Sequence, residues 1–325
     1  MGQSPVVLGL DFGGTKIALA VCSPDGERLA ATTVSSGGEL GARASFDRGV
    51  QAARDLMAEH APGRELAAAG VATFGIPFED RVELAPAIEG WGELAFGKEL
   101  RAAFPGALVR MATDAKAAAH AEARWGALTG CDPAIYLNLG TGLSAAIVAG
   151  GQVLAGGNGA AGEIGYNLRT GTDVGLPLAA RVPLEDMISG QALARRAASH
   201  ALPDGLAAVG GVFEASEHDP DLAGLVADFI NELAFHVVNL AICLNPVRIA
   251  VGGGLVGSWD RIRPGLESAL AAGVPFPPEL VVARFPSEAP LIGAIALAVD
   301  AVQPVTATGG GLVPISRMFS EGSPS

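Results

Sequence analysis

The sequence predicts an α/β protein with two related lobes, each built around a mixed sheet. In residues 5–34, a strand, a Gly-Thr loop, a second strand, a tight turn and a third strand follow one another. The same order returns, more weakly, in residues 134–155. Elsewhere apolar strands alternate with helical segments. The repeat predicts the two lobes, and hairpins within such an alternating chain predict mixed rather than purely parallel sheets.

The first lobe contains apolar runs bounded by turn residues, which is the pattern of buried strands. The predicted strands are 5–11, 16–22, 27–34, 70–76 and 107–112. The segment SPDGE joins the second and third strands as a hairpin turn, because proline presets φ and glycine adopts a positive φ. Apolar residues at helical spacing from Phe46 to Met57 predict one helix, and an alanine-rich segment after Asp114 predicts another.

The second lobe is predicted to contain strands at 134–139 and 143–149, followed by a short return run. A long helix has its apolar face between Leu222 and Leu244, and a third glycine loop follows it in RIAVGGGLVGS. Residues 200–221 are rich in Asp, Glu, Pro and Gly and predict a surface loop.

These elements predict the domain boundaries. The expected division is a small N-terminal lobe of residues 1–117, a large lobe of residues 118–287, and a tail of residues 303–325. We expect the ligands to bind in a cleft between the lobes.

The composition favours a cytoplasmic protein that binds small molecules. The 325 residues are 50% hydrophobic and carry a net charge of −13, which argues against nucleic acid and membrane partners because both need a basic patch. The three cysteines have no metal-binding or redox spacing, which is typical of reduced thiols in a cytosol. Neither a signal peptide nor a membrane span is predicted.

The three glycine loops are candidate phosphate and nucleotide sites, because glycine lets backbone N–H groups approach phosphate oxygens closely. The third loop lacks the acidic residue of a dinucleotide-binding fingerprint and suits a surface for adenosine. The candidate residues are Gly13, Gly14, Thr15 and Lys16, then Gly140, Thr141 and Gly142, and finally Gly252, Gly253 and Gly254. Asp11, just before the first loop, can orient a hydrated Mg²⁺ that bridges phosphates. A tight turn with a solvated aspartate is the alternative for that loop.

Two further segments contain candidate acceptor residues. Asp114 lies where a strand ends and a helix begins, so it is either a helix N-cap or a base that accepts the proton of a substrate hydroxyl. Glu163 and Tyr166 lie in the glycine-rich segment GNGAAGEIGYN, which suits either hydrogen bonding to a polyol or a plain surface loop.

Taken together, the motifs LGLDFGGTK, TDAKAAAHAEA, LNLGTG, NGAAGEIG and VGGG, in this order, resemble the ROK family of sugar kinases and sugar-responsive repressors. The resemblance extends from about residue 6 to residue 300. It implies an actin-like, hexokinase-like ATPase fold of the ribonuclease H-like class, ATP and Mg²⁺ as cofactors, and Asp114 as the catalytic base. It also implies a homodimer or homotetramer, and acceptor contacts from Gly75, Thr113, Glu163, Tyr166 and Glu185. It further implies that a C-terminal helix at about 288–302 completes the small N-terminal lobe.

The sequence departs from the family pattern at the acceptor end of the predicted site. Thr113 and Lys116 stand where the family usually has Asn, and Tyr166 stands where it has a His that also ligates a structural zinc. The stretch TGTDVGLPLAARVPLED lacks the family's zinc-binding cysteines, so we predict no zinc. We expect Lys116 to point to solvent, as most lysines in the first turn of a helix do.

The leading hypothesis is ATP-dependent phosphorylation of a primary hydroxyl on a hexose-like acceptor, an amino sugar or a C7 cyclitol being the candidates. A non-catalytic sugar-binding sensor is the first alternative. A hydrolase that uses Asp114 and Glu163 as paired carboxylates is a weaker one, since it would not need three glycine loops. A DNA-binding repressor is not favoured, because the first loop begins about ten residues into the sequence.

Overall fold

A computed structural model describes residues 4–198 and 209–303 of the chain. The chain divides into two compact units. Unit 1 comprises Met1–Trp125, Gly150–Ala161 and Glu288–Ser325, and unit 2 comprises Gly126–Ala149 and Gly162–Ser287. The expected boundary at residue 117 lies inside a helix that continues to Trp125, so the structure divides the chain later than the sequence suggested.

Unit 1 is built on a five-stranded mixed sheet with the strand order β3-β2-β1-β4-β7. Its strands are β1 (Val6–Phe12), β2 (Lys16–Cys22), β3 (Arg28–Ser35), β4 (Leu66–Thr73) and β7 (Leu108–Thr113). The first three strands form an antiparallel meander, whereas β4 pairs parallel to β1 and β7 pairs parallel to β4. The short strands β5 (Ile76–Pro77) and β6 (Val82–Glu83) form a separate ribbon.

Helices cover both faces of this sheet. They are α1 (Ala42–His60), α2 (Phe96–Ala103), α3 (Asp114–Trp125) and α9 (Ala289–Val302). On one face Phe12 packs among the rings of Phe46, Trp91 and Phe96, with centroid distances from 5.6 to 6.0 Å. On the other face α9 packs against β1, β4 and α3, so a helix from the C-terminal part of the sequence completes the core of unit 1. The short strand β10 (Gln152–Val153) belongs to the segment of unit 1 that lies near α3.

Unit 2 repeats the strand connections of unit 1. Its strands β8 (Ala134–Leu139), β9 (Leu143–Ala149), β11 (Arg248–Gly252) and β12 (Glu279–Val282) lie in the order β9-β8-β11-β12. The pair β8 and β9 is an antiparallel hairpin, and β11 and β12 continue the sheet in parallel, as β4 and β7 do in unit 1. This shared topology confirms the two related lobes that the repeated strand–loop–strand pattern predicted.

The helices of unit 2 are α4 (Glu185–Ile188), α5 (Gly190–Ala197), α6 (Val209–Ala215), α7 (Pro220–Leu244) and α8 (Trp259–Gly273). The Asp219 side chain caps the start of α7 by accepting two backbone N–H groups, and Asn245 ends it in a left-handed conformation with φ of 44°. In the described part of the chain, α7 alone is long and apolar enough to cross a membrane by length and composition. Its apolar stripe, from Leu222 to Ala241, is buried in the core of unit 2, as in a core helix.

The surface loop expected over 200–221 is wrong in part, because Val209–Ala215 forms a helix and α7 begins at Pro220. The polar composition of this stretch concealed a short helix that packs through Val212 and Phe213 against the core. Residues 199–208, and all of the predicted tail after Gln303, lie outside the described residues.

Candidate functional site

The first Gly-Thr loop joins β1 to β2, and its hydrogen bonds within the protein leave some of its backbone N–H groups for a ligand. The N–H of Gly13 donates to the carbonyl oxygen of Lys16 at 3.0 Å. Ser36, which is buried, donates its N–H to the carbonyl of Thr15 at 3.0 Å and its hydroxyl to that of Gly14 at 2.8 Å. Within the described residues, the N–H groups of Gly14 and Thr15 find no protein acceptor. The loop therefore presents two backbone donors and the Thr15 hydroxyl from a fixed turn, as an anion site requires.

Asp11 and Asp114 lie at one edge of the unit 1 sheet, because the carboxyl ends of the parallel strands β1, β4 and β7 meet there. Burial, and then the negative charge of Asp114, raise the pKa of Asp11 to about 7, against a smaller opposing effect of Lys16. A carboxyl whose pKa is raised by burial and by a neighbouring negative charge forms a site that a cation would stabilise.

Asp114 is the first residue of α3, and Thr113 supplies the cap of that helix. The Thr113 hydroxyl accepts the N–H of Lys116 at 3.3 Å, which is the usual N-cap bond. The Asp114 carboxylate accepts the N–H of the next residue, Ala115, at 2.7 Å. The capping function that could have explained Asp114 thus belongs to its neighbour.

Lys116 is 6% exposed, so the expectation that it points to solvent is wrong. Lys116 lines a small hollow together with Ile76, Pro77, Met111, Ala112, Thr113, Ala155 and Gly159. The helix turns its first-turn lysine inward because α3 packs against α9 and the sheet over most of its length.

Gly75 directly precedes β5, whose two residues, Ile76 and Pro77, line the hollow. Its φ is +76°, and a Cβ there would lie 2.6 Å from the Cβ of Ala85 and 2.7 Å from the carbonyl oxygen of Glu83. Glycine is therefore required to bring β5 to this position.

The second Gly-Thr loop joins β8 to β9 in unit 2 and follows the same plan. The N–H of Gly140 donates to the carbonyl of Gly142 at 3.1 Å, and the N–H of Leu143 donates to Oε2 of Glu185 at 2.8 Å. The N–H groups of Thr141 and Gly142 have no acceptor in the described part of the chain. Each Gly-Thr loop thus presents two adjacent N–H groups and one threonine hydroxyl.

The third glycine loop follows β11, which is the parallel neighbour of β8, so the second and third loops meet at one sheet edge. Gly253 has φ of +91°, and a Cβ there would overlap the carbonyl of Leu139 and lie 2.8 Å from Oδ1 of Asn138. The Asn138 side chain also lies next to Gly140. Asn138 thus contacts both loops, a placement that no spacing in the sequence indicated. Below them Tyr136 is buried so close to Gly252 that a Cβ on this glycine would overlap the phenol.

Glu163, Tyr166 and Glu185 lie close together in unit 2. Burial raises the pKa of Tyr166, and the charges of Glu185, Glu163 and Asp186 raise it further. Burial also raises the pKa of Glu185, although the N–H of Leu143 opposes this effect. Two carboxyl groups and a neutral phenol are suited to bind the hydroxyl groups of a polyol.

The segment after Tyr166 is held by side chains. Arg169 donates to Glu232 of α7 at 2.5 Å, and the Asp173 carboxylate accepts the N–H groups of Arg169 and Thr170 at 2.8 and 3.1 Å. Arg181 donates to the carbonyl of Tyr166 at 2.9 Å.

Across residues 4–198 and 209–303, no group of three or more His, Cys, Asp or Glu side chains could hold a metal ion.

The predicted site residues thus form two sets, one in each unit. Unit 1 contains Asp11, residues 13–16, Gly75, Thr113, Asp114 and Lys116. Unit 2 contains residues 140–142, Glu163, Tyr166, Glu185 and residues 252–254. Sequence reasoning missed Ser36, which holds the first loop by two hydrogen bonds, and it missed the placement of Asn138, from the motif LNLGTG, beside the third loop.

The pattern that defines the ROK family matches residues 7–301, and the chain belongs to this family. The bifunctional enzyme NanE/NanK of Brucella melitensis is 32% identical over 305 residues, which cover 91% of this chain and 54% of that enzyme. The chain therefore spans about half the length of this relative. The kanosamine kinase of Amycolatopsis mediterranei is 29% identical over 283 residues, which cover 82% of this chain and 86% of the relative.

Among solved structures, the ROK family glucokinase of Streptomyces griseus in complex with glucose and AMPPNP has a TM-score of 0.72 and 29% sequence identity. The match covers 91% of this chain and 99% of that structure. The fold is accordingly the actin-like ATPase fold with mixed sheets that the resemblance implied.

Proposed function

We propose that this protein is an ATP-dependent kinase that phosphorylates a primary hydroxyl of a hexose or a hexose-like acceptor. The observation that carries the proposal is the pair of Gly-Thr loops, each of which leaves two N–H groups and a threonine hydroxyl directed to no protein acceptor within the described residues. Phosphate oxygens are the ligands that such loops bind. The related kinases and the glucokinase complex with AMPPNP and glucose support the same activity.

Mg²⁺ fits this site, because burial and the negative charge of Asp114 raise the pKa of Asp11 at the edge of the unit 1 sheet. Asp11 would hold the ion through its water ligands, and the ion would neutralise charge on the phosphates. Phosphoryl transfer then needs little else from the protein, since positioning and charge stabilisation supply most of the catalysis.

In the proposed reaction Asp114 accepts the proton of the acceptor hydroxyl. The oxygen forms its bond to the γ-phosphorus as the bond from phosphorus to the β–γ bridging oxygen breaks, and ADP leaves. The cap of α3 comes from the Thr113 hydroxyl and not from this carboxylate. Glu163, Tyr166 and Glu185 bind other hydroxyls of the acceptor, and residues 252–254 lie against the adenosine.

The acceptor is proposed to be an uncommon hexose-like compound, such as an amino sugar or a cyclitol. Thr113, Lys116 and Tyr166 occupy positions where the family usually has Asn or His, whereas Asp114 and the glycine loops keep the family pattern. The kanosamine kinase relative agrees with an amino sugar. We also propose that the kinase is cytoplasmic and acts as a homodimer or homotetramer.

The test is ADP release with Mg²⁺-ATP across glucose, mannose, N-acetylated hexosamines, kanosamine and valiolone-type cyclitols. The Asp114→Asn variant is expected to lose about 10²- to 10⁴-fold in kcat, because a general base is removed. Its acceptor affinity, measured by calorimetry, is expected to stay within a few-fold of the wild type. Turnover that does not depend on Asp114 would contradict the assigned base. Acceptor binding without any turnover would favour the sugar-binding sensor instead.

A further inference from the structure

Glu185 contacts the second Gly-Thr loop directly, although the family resemblance assigns it to the acceptor. We propose that Glu185 is a positioning residue that holds the phosphate-binding loop Gly140–Leu143 in its binding shape. This inference rests on the proposed function, because it assumes that the loop binds the phosphates of ATP.

The contact has two parts. Oε2 of Glu185 accepts the N–H of Leu143 at 2.8 Å. The same oxygen lies where a side chain at Gly142 would be, so that even a Cβ at Gly142 would overlap it. The absence of a side chain at Gly142 is therefore what lets the carboxylate reach the loop.

The other end of the loop is held from the same segment. The N–H of Gly190, at the start of α5, donates to the carbonyl of Gly140 at 2.8 Å. Glu185 begins α4, and Ser189, between the two contacts, caps α5 by accepting the N–H of Ala192 at 3.1 Å. Residues 185–190 thus fix both ends of a loop that contains two glycines and would otherwise sample many conformations.

The fixed loop leaves two of its backbone N–H donors for a ligand. Glu185 occupies the Leu143 N–H, and the loop's own turn occupies the Gly140 N–H. The donors directed to no protein acceptor in the described chain are those of Thr141 and Gly142, which are adjacent. A loop that is ordered before its ligand arrives loses less conformational entropy on binding, so its affinity is higher.

Glu185 also lies beside the acceptor candidates, since its charge contributes to the raised pKa of Tyr166. An acceptor hydroxyl that bonds to the second carboxylate oxygen would therefore bind to a group that already holds the phosphate loop. The position of Glu185 couples the two substrates within unit 2.

The experiment measures Mg²⁺-AMPPNP binding by calorimetry without any acceptor. We expect Glu185→Ala to weaken this binding about tenfold, because the Leu143 N–H loses its partner and the loop loses its anchor. Glu185→Gln keeps an oxygen that can accept this N–H and is expected to stay within about threefold of the wild type. Asp186→Ala is the matched control, because this neighbouring carboxylate bonds to Arg195 and not to the loop, and it is expected to leave AMPPNP affinity unchanged.

Hydrogen exchange in the peptide that covers residues 139–145 gives a readout of the loop itself. Faster exchange there in Glu185→Ala, with unchanged exchange in β11, is the expected result and separates loop loosening from general unfolding. Wild-type AMPPNP affinity in Glu185→Ala would overturn the proposal and leave Glu185 as an acceptor residue alone. An equal loss in Glu185→Gln would overturn the hydrogen-bond mechanism. A wild-type protein that binds no AMPPNP would instead overturn the proposed kinase function.

Discussion

At the scale of single residues, Asp11 lies in the proposed site, and its ionised carboxylate destabilises the ligand-free fold. Burial and Asp114 raise its pKa from 3.8 to about 7. A carboxyl whose pKa is higher in the folded state destabilises the fold once it ionises. This penalty is absent below the unfolded pKa, grows as the pH rises from about 4 to 7, and is complete above the folded pKa.

Asp11→Asn is therefore expected to stabilise the protein in the absence of Mg²⁺ and nucleotide. The gain should grow by about 1.4 kcal/mol per pH unit between pH 5 and 7 and level off near pH 8, at a few kcal/mol. Urea unfolding at several pH values checks this, with the exposed Asp55→Asn on α1 as the control that should change nothing. A gain that is the same at every pH would contradict the assignment. The same variant should lose kinase activity, since the proposed Mg²⁺ site is removed.

The residues that hold the site show where sequence reasoning stops. Asp11, Asp114 and the glycine loops follow from local pattern, because a loop after a strand has a spacing that can be recognised. The role of Ser36 does not, since the loop that it holds lies far from it in the sequence. The placement of Asn138 beside the third loop does not either, since that loop is equally distant in the sequence. The orientation of Lys116 depends on what α3 packs against, and that is a tertiary property.

At the scale of elements, residues 166–181 form an irregular segment that side chains hold. Arg169 binds Glu232 on α7, and Asp173 closes a turn through two backbone N–H groups. These contacts act at the place where the family resemblance implies a zinc site.

We expect chelation with EDTA or 1,10-phenanthroline to leave the melting temperature unchanged. Glu232→Gln, by contrast, is expected to lower stability by about 1–2 kcal/mol, because a partly buried, charge-assisted hydrogen bond is weakened. Differential scanning calorimetry measures both effects, and elemental analysis of the purified protein accompanies it. A lower melting temperature after chelation, together with bound zinc, would show that the prediction of no zinc is wrong.

At the scale of the whole molecule, the strand order of each unit could be predicted in outline, because each repeat carries its own hairpin signature. The return of the chain to unit 1 through α9, by contrast, depends on tertiary packing. Helix α9 lies on β1, β4 and α3, and Gly293 brings it so close that a Cβ there would overlap the carbonyl oxygen of Ala117. The sequence predicted that the last helix joins the first lobe only through the family resemblance, since nothing within APLIGAIALA points to its partner.

The same glycine-to-alanine change should therefore act in opposite directions at two helical positions. Gly293→Ala forces the backbones of α9 and α3 apart and is expected to cost about 1–3 kcal/mol or more. Gly224→Ala in α7 meets nothing within 4 Å and is expected to stabilise by about 0.5–1 kcal/mol, because alanine favours the helix.

Hydrogen exchange locates each effect. Exchange should rise in β1, β4 and α3 for Gly293→Ala, and any change for Gly224→Ala should stay within unit 2. Since α3 begins with Asp114, the Gly293→Ala variant should also lose activity before it unfolds. Equal and small changes in the stability of both variants would mean that α9 can shift without moving the proposed base.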